Sequence, residues 1–218
     1  MFLHGYLSSK EAFSAQIAYF SKYYKVTAID FLGFGQSAPL TEAFSVGDYA
    51  EWTGEVLSTL GVVKPHVIAH SFGCRVAVKM AGKDRCAFDK ILLTGPAGVI
   101  IGRGFGYKLK VKTYRLVKRI APNFAKRKFG SKEYRSLSPL MQESYKKIVN
   151  EDLRGCAQGV LNEVLIVEGT RDSVTTMAEA KAYERAFPRA RLETIEGGHF
   201  AFVENPVAFN LLAEEFFL

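Results

Sequence analysis

Short apolar segments alternate along this chain with segments of helical periodicity, and this alternation limits the fold more than any other feature. Strands that alternate with helices form βαβ units, in which the strands are parallel and the helices cover both faces of the sheet. The pattern predicts strands at Met1–Leu3, Lys25–Asp30, His66–His70, Lys90–Thr94, Glu163–Glu168 and Arg191–Ile195. It predicts helices at Glu11–Phe20, Ser45–Leu60, Phe72–Ala81, Thr176–Phe187 and Pro206–Phe217. We therefore expect an α/β fold with a mostly parallel sheet.

Residues 96–150 interrupt this alternation and carry the basic charge of the chain. They hold fourteen Lys and Arg residues and two Glu, a net charge of +12, whereas the remainder carries −5. Because the segment lies between two predicted strands, we interpret it as a helical insertion into a core formed by residues 1–95 and 151–218.

The basic charge of this insertion has three interpretations. Solvated helix faces are the simplest. A surface that attracts an anionic substrate, or that contacts a membrane peripherally, is the second. Binding of nucleic acid is disfavoured, since the sequence predicts no nucleic-acid-binding fold.

Cysteine usage and hydropathy predict a cytoplasmic protein. Cys74, Cys86 and Cys156 form no CxxC motif and no Cys/His cluster, so neither a metal site nor a disulfide framework is predicted. No apolar run approaches the roughly 18 residues of a membrane span, and the first residues do not resemble a signal peptide.

The segment His70-Ser71-Phe72-Gly73 joins a buried strand to a helix and contains the predicted nucleophile, Ser71. A serine on a tight strand-to-helix turn projects its hydroxyl above the sheet, and small residues must flank it because the backbone of neighbouring segments passes close. Ala69 and Gly73 meet that requirement. The N–H groups at the start of the helix favour an anion at this turn.

A serine hydroxyl requires a base within hydrogen-bond reach and an acid that orients the base. His199 follows the last predicted strand, at the edge where parallel sheets bind ligands. Asp172 follows the strand Glu163–Glu168 at the same edge. The order Ser71, Asp172, His199 is the one expected for a catalytic triad on such a sheet. His4, next to a glycine after the first strand, is interpreted as structural.

The loop after the first strand is predicted to complete an oxyanion hole. Gly5 allows the backbone to turn inward, so that the N–H of Tyr6 lies opposite the N–H of Phe72. The residues predicted to line the substrate pocket are Phe105, Tyr107 and Met141.

In order and spacing, four motifs resemble the α/β-hydrolase superfamily: Leu3-His4-Gly5, Asp30-Phe31-Leu32-Gly33-Phe34-Gly35-Gln36-Ser37, His70-Ser71-Phe72-Gly73 and Gly198-His199. The resemblance covers most of the chain. It implies a Ser71/Asp172/His199 triad, an oxyanion hole formed by Tyr6 and Phe72, and a cap formed by residues 96–150.

This resemblance also implies a shortened sheet. Members of the superfamily usually have two further strands before the one that ends in Leu-His-Gly, so about six strands are expected here and Lys25–Asp30 becomes an edge. Exposed edges pair with other chains, which makes a homodimer or reduced stability the expected consequence.

The sequence thus predicts a serine hydrolase that cleaves a carboxylic ester or a related acyl substrate, without a metal or organic cofactor. Fold and triad do not separate this reaction from C–C bond hydrolysis, acyl transfer or lyase chemistry. Two alternatives of other classes are a ligand-binding sensor with slow turnover and a chain that lacks activity because its first strands are missing.

Overall fold

The computed structural model of this chain describes residues 1–102, 134 and 136–218. The strands of this part are β1 (Phe2–Leu3), β2 (Ala28–Ile29), β3 (Val67–His70), β4 (Ile91–Thr94), β5 (Val164–Gly169) and β6 (Ala190–Ile195). The α-helices are α1 (Ser14–Phe20), α2 (Val46–Thr59), α3 (Phe72–Lys83), α4 (Pro139–Val149), α5 (Arg154–Ala157), α6 (Met177–Ala186), α7 (Ala201–Glu204) and α8 (Pro206–Phe217).

The six strands of the described part form one sheet in the order β2-β1-β3-β4-β5-β6. Every neighbouring pair is parallel, and the register aligns His70 with Thr94, Thr94 with Val167 and Gly169 with Ile195. The predicted α/β fold with a parallel sheet of about six strands is confirmed, and β2 is an edge strand as expected. Parallel pairing places the carboxyl ends of all these strands at one edge.

Two segments near the start differ from the pattern-based boundaries. The strand predicted at Lys25–Asp30 is only two residues long, because its one partner, β1, offers only two residues for pairing. The helix predicted at Glu11–Phe20 begins with a 3₁₀ turn, Lys10–Phe13, before α1. The backbone N–H of Lys10 donates to Asp30 Oδ1 at 2.7 Å, so a tertiary contact fixes the start of this turn.

Alternate residues of the strands enter two separate hydrophobic layers. Ile91 and Leu93 of β4 pack on the side of α2, α3 and α6, whereas Leu92 packs on the side of α1, α7 and α8. Val164 and Leu165 of β5 divide in the same way. Helices therefore cover both faces of the sheet, as a parallel sheet requires.

The last part of the predicted insertion packs directly on the core. Met141 and Ile148 of α4 are buried in the layer that contains α2 and α3. The Arg75 guanidinium of α3 donates to the backbone carbonyl oxygens of Ile148 and Glu151, both at 2.9 Å. This contact satisfies carbonyls at the C-terminus of α4, where a cation is also favoured by the helix dipole.

Residues 103–133 and 135 of the predicted insertion lie outside the described residues, and so do two predicted pocket residues, Phe105 and Tyr107. The division into a core and a basic cap stays a prediction. Among the helices of the described part, none has the length and apolar character that crossing a bilayer demands.

We expect Gly73→Ala to lower the free energy of unfolding by about 2 to 3 kcal/mol. A Cβ at position 73 would overlap the backbone carbonyl of Leu3, so α3 and β1 would have to separate. Gly54→Ala is the matched control: apart from adjacent residues and the backbone of α2 itself, no described atom lies within 4 Å of a Cβ at position 54. Because alanine favours helix, this control is expected to stabilise the protein by roughly 0.5 to 1 kcal/mol. Urea unfolding measures both; equal effects of the two changes would contradict the argument.

Candidate active site

Ser71 lies on the turn between β3 and α3 in a backbone conformation that is rare for a residue with a side chain. Its φ is 49° and its ψ is −105°. Such a conformation costs on the order of 1 to 3 kcal/mol and persists only where the surroundings hold it. Here the N–H of Ser71 donates to the carbonyl of Thr94 at 3.1 Å, and the carbonyl of Ser71 accepts from Cys74 N–H at 3.1 Å. The predicted strand–turn–helix setting of Ser71 is therefore present.

Two glycines allow other segments to approach this turn. A side chain at Gly73 would overlap the end of β1, which explains why the predicted small residue is needed there. A Cβ at Gly5 would lie 3.6 Å from Ser71 Cβ and 2.7 Å from His70 Nδ1. The loop after β1 therefore lies directly against Ser71.

His4 orients the peptide group that joins Gly5 to Tyr6. Its Nε2 accepts from Phe31 N–H at 3.0 Å, so its Nδ1 carries the proton and donates to the Gly5 carbonyl at 2.7 Å. Because C=O and N–H point in opposite directions across a trans peptide, the Tyr6 N–H points away from His4. Neither this N–H nor that of Phe72 donates to an acceptor among the described residues. The interpretation of His4 as structural agrees with these bonds, and the oxyanion hole stays a prediction.

The side chain of Tyr6 connects the same loop to α4. Its hydroxyl donates to the Met141 carbonyl at 3.1 Å, and its ring contacts Phe72 and Tyr145 at centroid distances of 5.7 and 5.3 Å. Met141 itself is 8% exposed. These contacts place Met141 beside the loop of Tyr6, and its predicted role in the substrate pocket stays a prediction.

Asp172 and His199 are brought together at the carboxyl edge of the sheet. Asp172 Oδ2 lies 2.7 Å from His199 Nδ1, and the Asp172 side chain is 1% exposed. A carboxylate at this distance holds the proton of a neutral imidazole on Nδ1, which leaves the lone pair on Nε2. The structure thus pairs the predicted acid with the predicted base in the tautomer that a general base requires.

Hydrogen bonds keep Asp172 ionised although it is buried. Burial by itself would raise the pKa of this carboxyl. The hydrogen bonds from His199, from the Val174 N–H and from Thr175 outweigh burial and lower the pKa to about 2. Asp172 therefore carries its charge throughout the neutral range.

His199 lies over the turn that holds Ser71. Its backbone carbonyl accepts from His70 Nε2 at 2.9 Å, and the two imidazole rings are 4.7 Å apart. Gly95, with φ of 51°, lies against His199, and a Cβ there would be 3.1 Å from His199 Nδ1. No hydrogen bond of 3.5 Å or less joins the Ser71 hydroxyl to His199 in the described part, so the complete triad stays a prediction.

A second carboxyl, Glu168, is buried near Asp172. It is fully buried at the end of β5, and neither of its carboxyl oxygens has a hydrogen-bond partner among the described residues. Burial first and the neighbouring Asp172 carboxylate second raise its pKa to about 8. Glu168 is therefore protonated at neutral pH, whereas Asp172 is ionised.

Three residues of this site were not recognised from the sequence: His70, Thr175 and Glu168. His70 is buried with its Nε2 donating to the His199 carbonyl, and burial lowers its pKa to about 3. Thr175 donates to Asp172, and its position three residues after an aspartate was the available signal. Glu168 had the signal of a carboxylate within an otherwise apolar strand.

No cluster of metal-ligating side chains occurs in the residues that the structure describes.

Comparison with known proteins identifies one family. The model of the family described as alpha/beta hydrolase fold matches residues 1–115, a range that includes Ser71 but neither Asp172 nor His199. An uncharacterized protein of Mycobacterium tuberculosis is 24% identical over 252 residues, which covers 99% of this chain and 74% of that protein.

Other matches carry more specific names. A probable lysophospholipase of Arabidopsis thaliana is 27% identical over 128 residues, which covers 56% of this chain and 25% of that protein. The structure of a meta-cleavage product hydrolase from Pseudomonas fluorescens superposes with a TM-score of 0.76 and 21% identity, covering 99% of this chain and 89% of that one. This structural likeness supports the fold.

We expect Glu168→Gln to stabilise the protein increasingly as the pH rises. The pKa of Glu168 is about 8 in the folded chain and 4.5 in the unfolded chain. The protonated carboxyl therefore stabilises the fold fully below pH 4.5, and this contribution is lost as the pH rises through about 8. Glutamine has no such dependence, so the difference in unfolding free energy between variant and wild type should grow over this range by about 3 to 5 kcal/mol.

Urea unfolding at pH 5, 7 and 9 measures this difference. Glu163→Gln is the control, since Glu163 is an exposed carboxylate paired with Arg189 at 2.6 Å. Its effect should stay below about 1 kcal/mol. A pH-independent effect of Glu168→Gln would contradict the burial of a neutral carboxyl.

Proposed function

The chain belongs to the alpha/beta hydrolase fold family, and on this basis we propose that it is a serine hydrolase that cleaves a carboxylic ester or a related acyl substrate. The observation that carries the proposal is the pairing of Asp172 with His199 beside the strained turn of Ser71. A serine hydroxyl nucleophile is activated by a nearby histidine that is itself bonded to a buried, ionised acid.

In the proposed reaction, Ser71 Oγ attacks the carbonyl carbon of the substrate and its proton passes to His199 Nε2. Asp172 holds the other ring proton and stabilises the imidazolium that forms. The imidazolium then protonates the leaving group, and an acyl group remains on Ser71. Water, deprotonated by the same histidine, attacks this ester and releases the acid.

The negative charge that develops on the carbonyl oxygen needs donors that are already in place. The N–H groups of Tyr6 and Phe72 are proposed for this role, because both are free among the described residues and both lie next to Ser71. Loss of one such donor costs about 3 to 4 kcal/mol of transition-state stabilisation in a well-studied serine protease. Because Tyr6 acts through its backbone, replacement of its side chain should have a smaller effect than replacement of Ser71.

Similarity to the probable lysophospholipase of Arabidopsis thaliana supports an ester as the substrate. The basic charge of residues 96–150 supports an anionic substrate or peripheral contact with a membrane surface. The fold by itself also accommodates C–C bond hydrolysis, since a meta-cleavage product hydrolase shares it. Substrate class therefore has to be measured.

We expect the wild-type protein to hydrolyse chromogenic esters, and Ser71→Ala to reduce kcat/KM by at least about 10³-fold. Asp172→Asn should reduce it by about 10³- to 10⁴-fold, because an amide favours the wrong tautomer of His199. Esters of short and long acyl chains, assayed in parallel, would give the size of the acyl pocket. Ser37→Ala is the matched control, because the Ser37 hydroxyl bonds to the Asp30 carbonyl, away from Asp172 and His199.

Equal activity of wild type and Ser71→Ala would refute the nucleophile. If esters are not cleaved but a C–C substrate is, and Ser71→Ala abolishes that reaction, the triad stands and the ester assignment is wrong. Binding of the same compounds without turnover, detected as a shift in Tm, would instead support a ligand-binding sensor.

A further inference from the structure

The carboxylate of Asp172 accepts four hydrogen bonds from donors in the described part of the chain, as many as it has lone-pair positions. Oδ1 accepts from the backbone N–H groups of Val174 and Thr175, at 2.7 and 3.0 Å. Oδ2 accepts from the Thr175 hydroxyl at 2.8 Å and from His199 Nδ1 at 2.7 Å. Of the four donors, the Thr175 hydroxyl is the one that is neither backbone nor part of the proposed triad.

We propose that Thr175 is a positioning residue that fixes Asp172 through its hydroxyl and thereby sets the basicity of His199. This inference rests on the proposed function. It assigns a role to a side chain that the proposed reaction does not use. Thr175 is 5% exposed and lies between the acid and the base. The Thr175 hydroxyl oxygen is 2.8 Å from Asp172 Oδ2 and 3.2 Å from His199 Nδ1.

The first consequence of this hydroxyl is geometric. The carboxylate is planar and rigid, so its two oxygens move together when it turns about the bond between Cβ and the carboxyl carbon, and the two backbone donors restrain this rotation at Oδ1 alone. The Thr175 hydroxyl fixes Oδ2 on the line to His199 Nδ1, and this orientation decides where Nε2 points. A displacement of the base by a fraction of an ångström is enough to lower the rate of proton transfer.

The second consequence of the Thr175 hydroxyl is electrostatic. A donor on Oδ2 withdraws electron density from the oxygen that faces His199, so the carboxylate attracts a protonated imidazole less strongly. Without this donor, the same carboxylate would hold the imidazolium more tightly, and the neutral base would become available only at higher pH. The 3.2 Å contact of the hydroxyl oxygen with Nδ1 acts in the opposite sense. It is weaker, because it is longer and joins an uncharged oxygen to a proton already directed at Oδ2. The other titratable groups against this pair are His70, with its ring 4.7 Å from that of His199, and the buried Glu168 near Asp172; both are the same in wild type and variants, so they do not alter the comparison.

The neighbouring Thr176 provides a matched comparison. Its backbone N–H and its hydroxyl bond to Glu179 Oε2 at 2.7 and 3.0 Å, at the start of α6. Its side chain therefore serves the helix rather than Asp172. Thr175→Val and Thr176→Val each remove one hydroxyl with little change in side-chain volume, one on the acid and one on the helix.

The experiment measures covalent labelling of Ser71 by a fluorophosphonate between pH 5 and 9. In this step Ser71 Oγ bonds to phosphorus, fluoride leaves, and the serine proton passes to His199. We expect Thr175→Val to slow labelling at pH 7 by about 10-fold and to move the acid limb of the profile to higher pH by about half a pH unit. Thr175→Ser should restore both, and Thr176→Val should leave the profile unchanged even if its Tm falls.

The ¹⁵N resonances of the His199 ring, followed over the same pH range, provide a second readout that needs no reaction. An upward move of their midpoint in Thr175→Val, reversed in Thr175→Ser, supports the inference. An unchanged midpoint or a downward move overturns it, and so does a loss of rate in Thr175→Val without movement of the acid limb. Failure of the proposed function looks different, because labelling would then be the same in wild type and in Ser71→Ala.

Discussion

Parallel pairing of the six described strands brings the segments of Ser71, Asp172 and His199 to one edge of the sheet. The register that aligns His70 with Thr94 and Gly169 with Ile195 makes these strands end at similar heights. The turn of Ser71, the loop of Asp172 and the loop of His199 therefore begin next to one another, although 128 positions separate the first from the last. Without this register, the contacts that join Asp172 and Thr175 to His199 would not exist.

Close approach of backbones at that edge is the second requirement, and glycine supplies it. At Gly73 the first turn of α3 passes the end of β1, and at Gly169 the backbone passes the loop before His199, where a Cβ would overlap the Gly198 carbonyl. Ser71 does not share this freedom, and its positive φ is held by bonds to Thr94 and Cys74. Ser71 is thus held in a strained turn, whereas Gly73 and Gly169 carry no side chain that would block the approach of the neighbouring segments.

Two carboxyls four residues apart differ in charge because their surroundings differ. Asp172 accepts hydrogen bonds from four donors and stays ionised, whereas Glu168 has no donor in the described part and stays protonated at neutral pH. Of these two carboxyls, only the one that bonds to His199 is therefore charged. A second carboxylate at this depth would repel the first.

Local pattern determined the order of strands and helices and the candidates Ser71, Asp172 and His199, because periodicity, turn residues and chain order are properties of neighbouring positions. The edge position of β2 followed from the resemblance to the α/β-hydrolase superfamily. Local pattern did not determine the two-residue length of β2, which depends on its partner β1. Nor did it identify the His70 bond to the His199 carbonyl, the contact of the Thr175 hydroxyl with His199 or the neutral state of Glu168. These depend on distances, burial and donor orientation between segments far apart in the chain, and only tertiary structure sets those quantities.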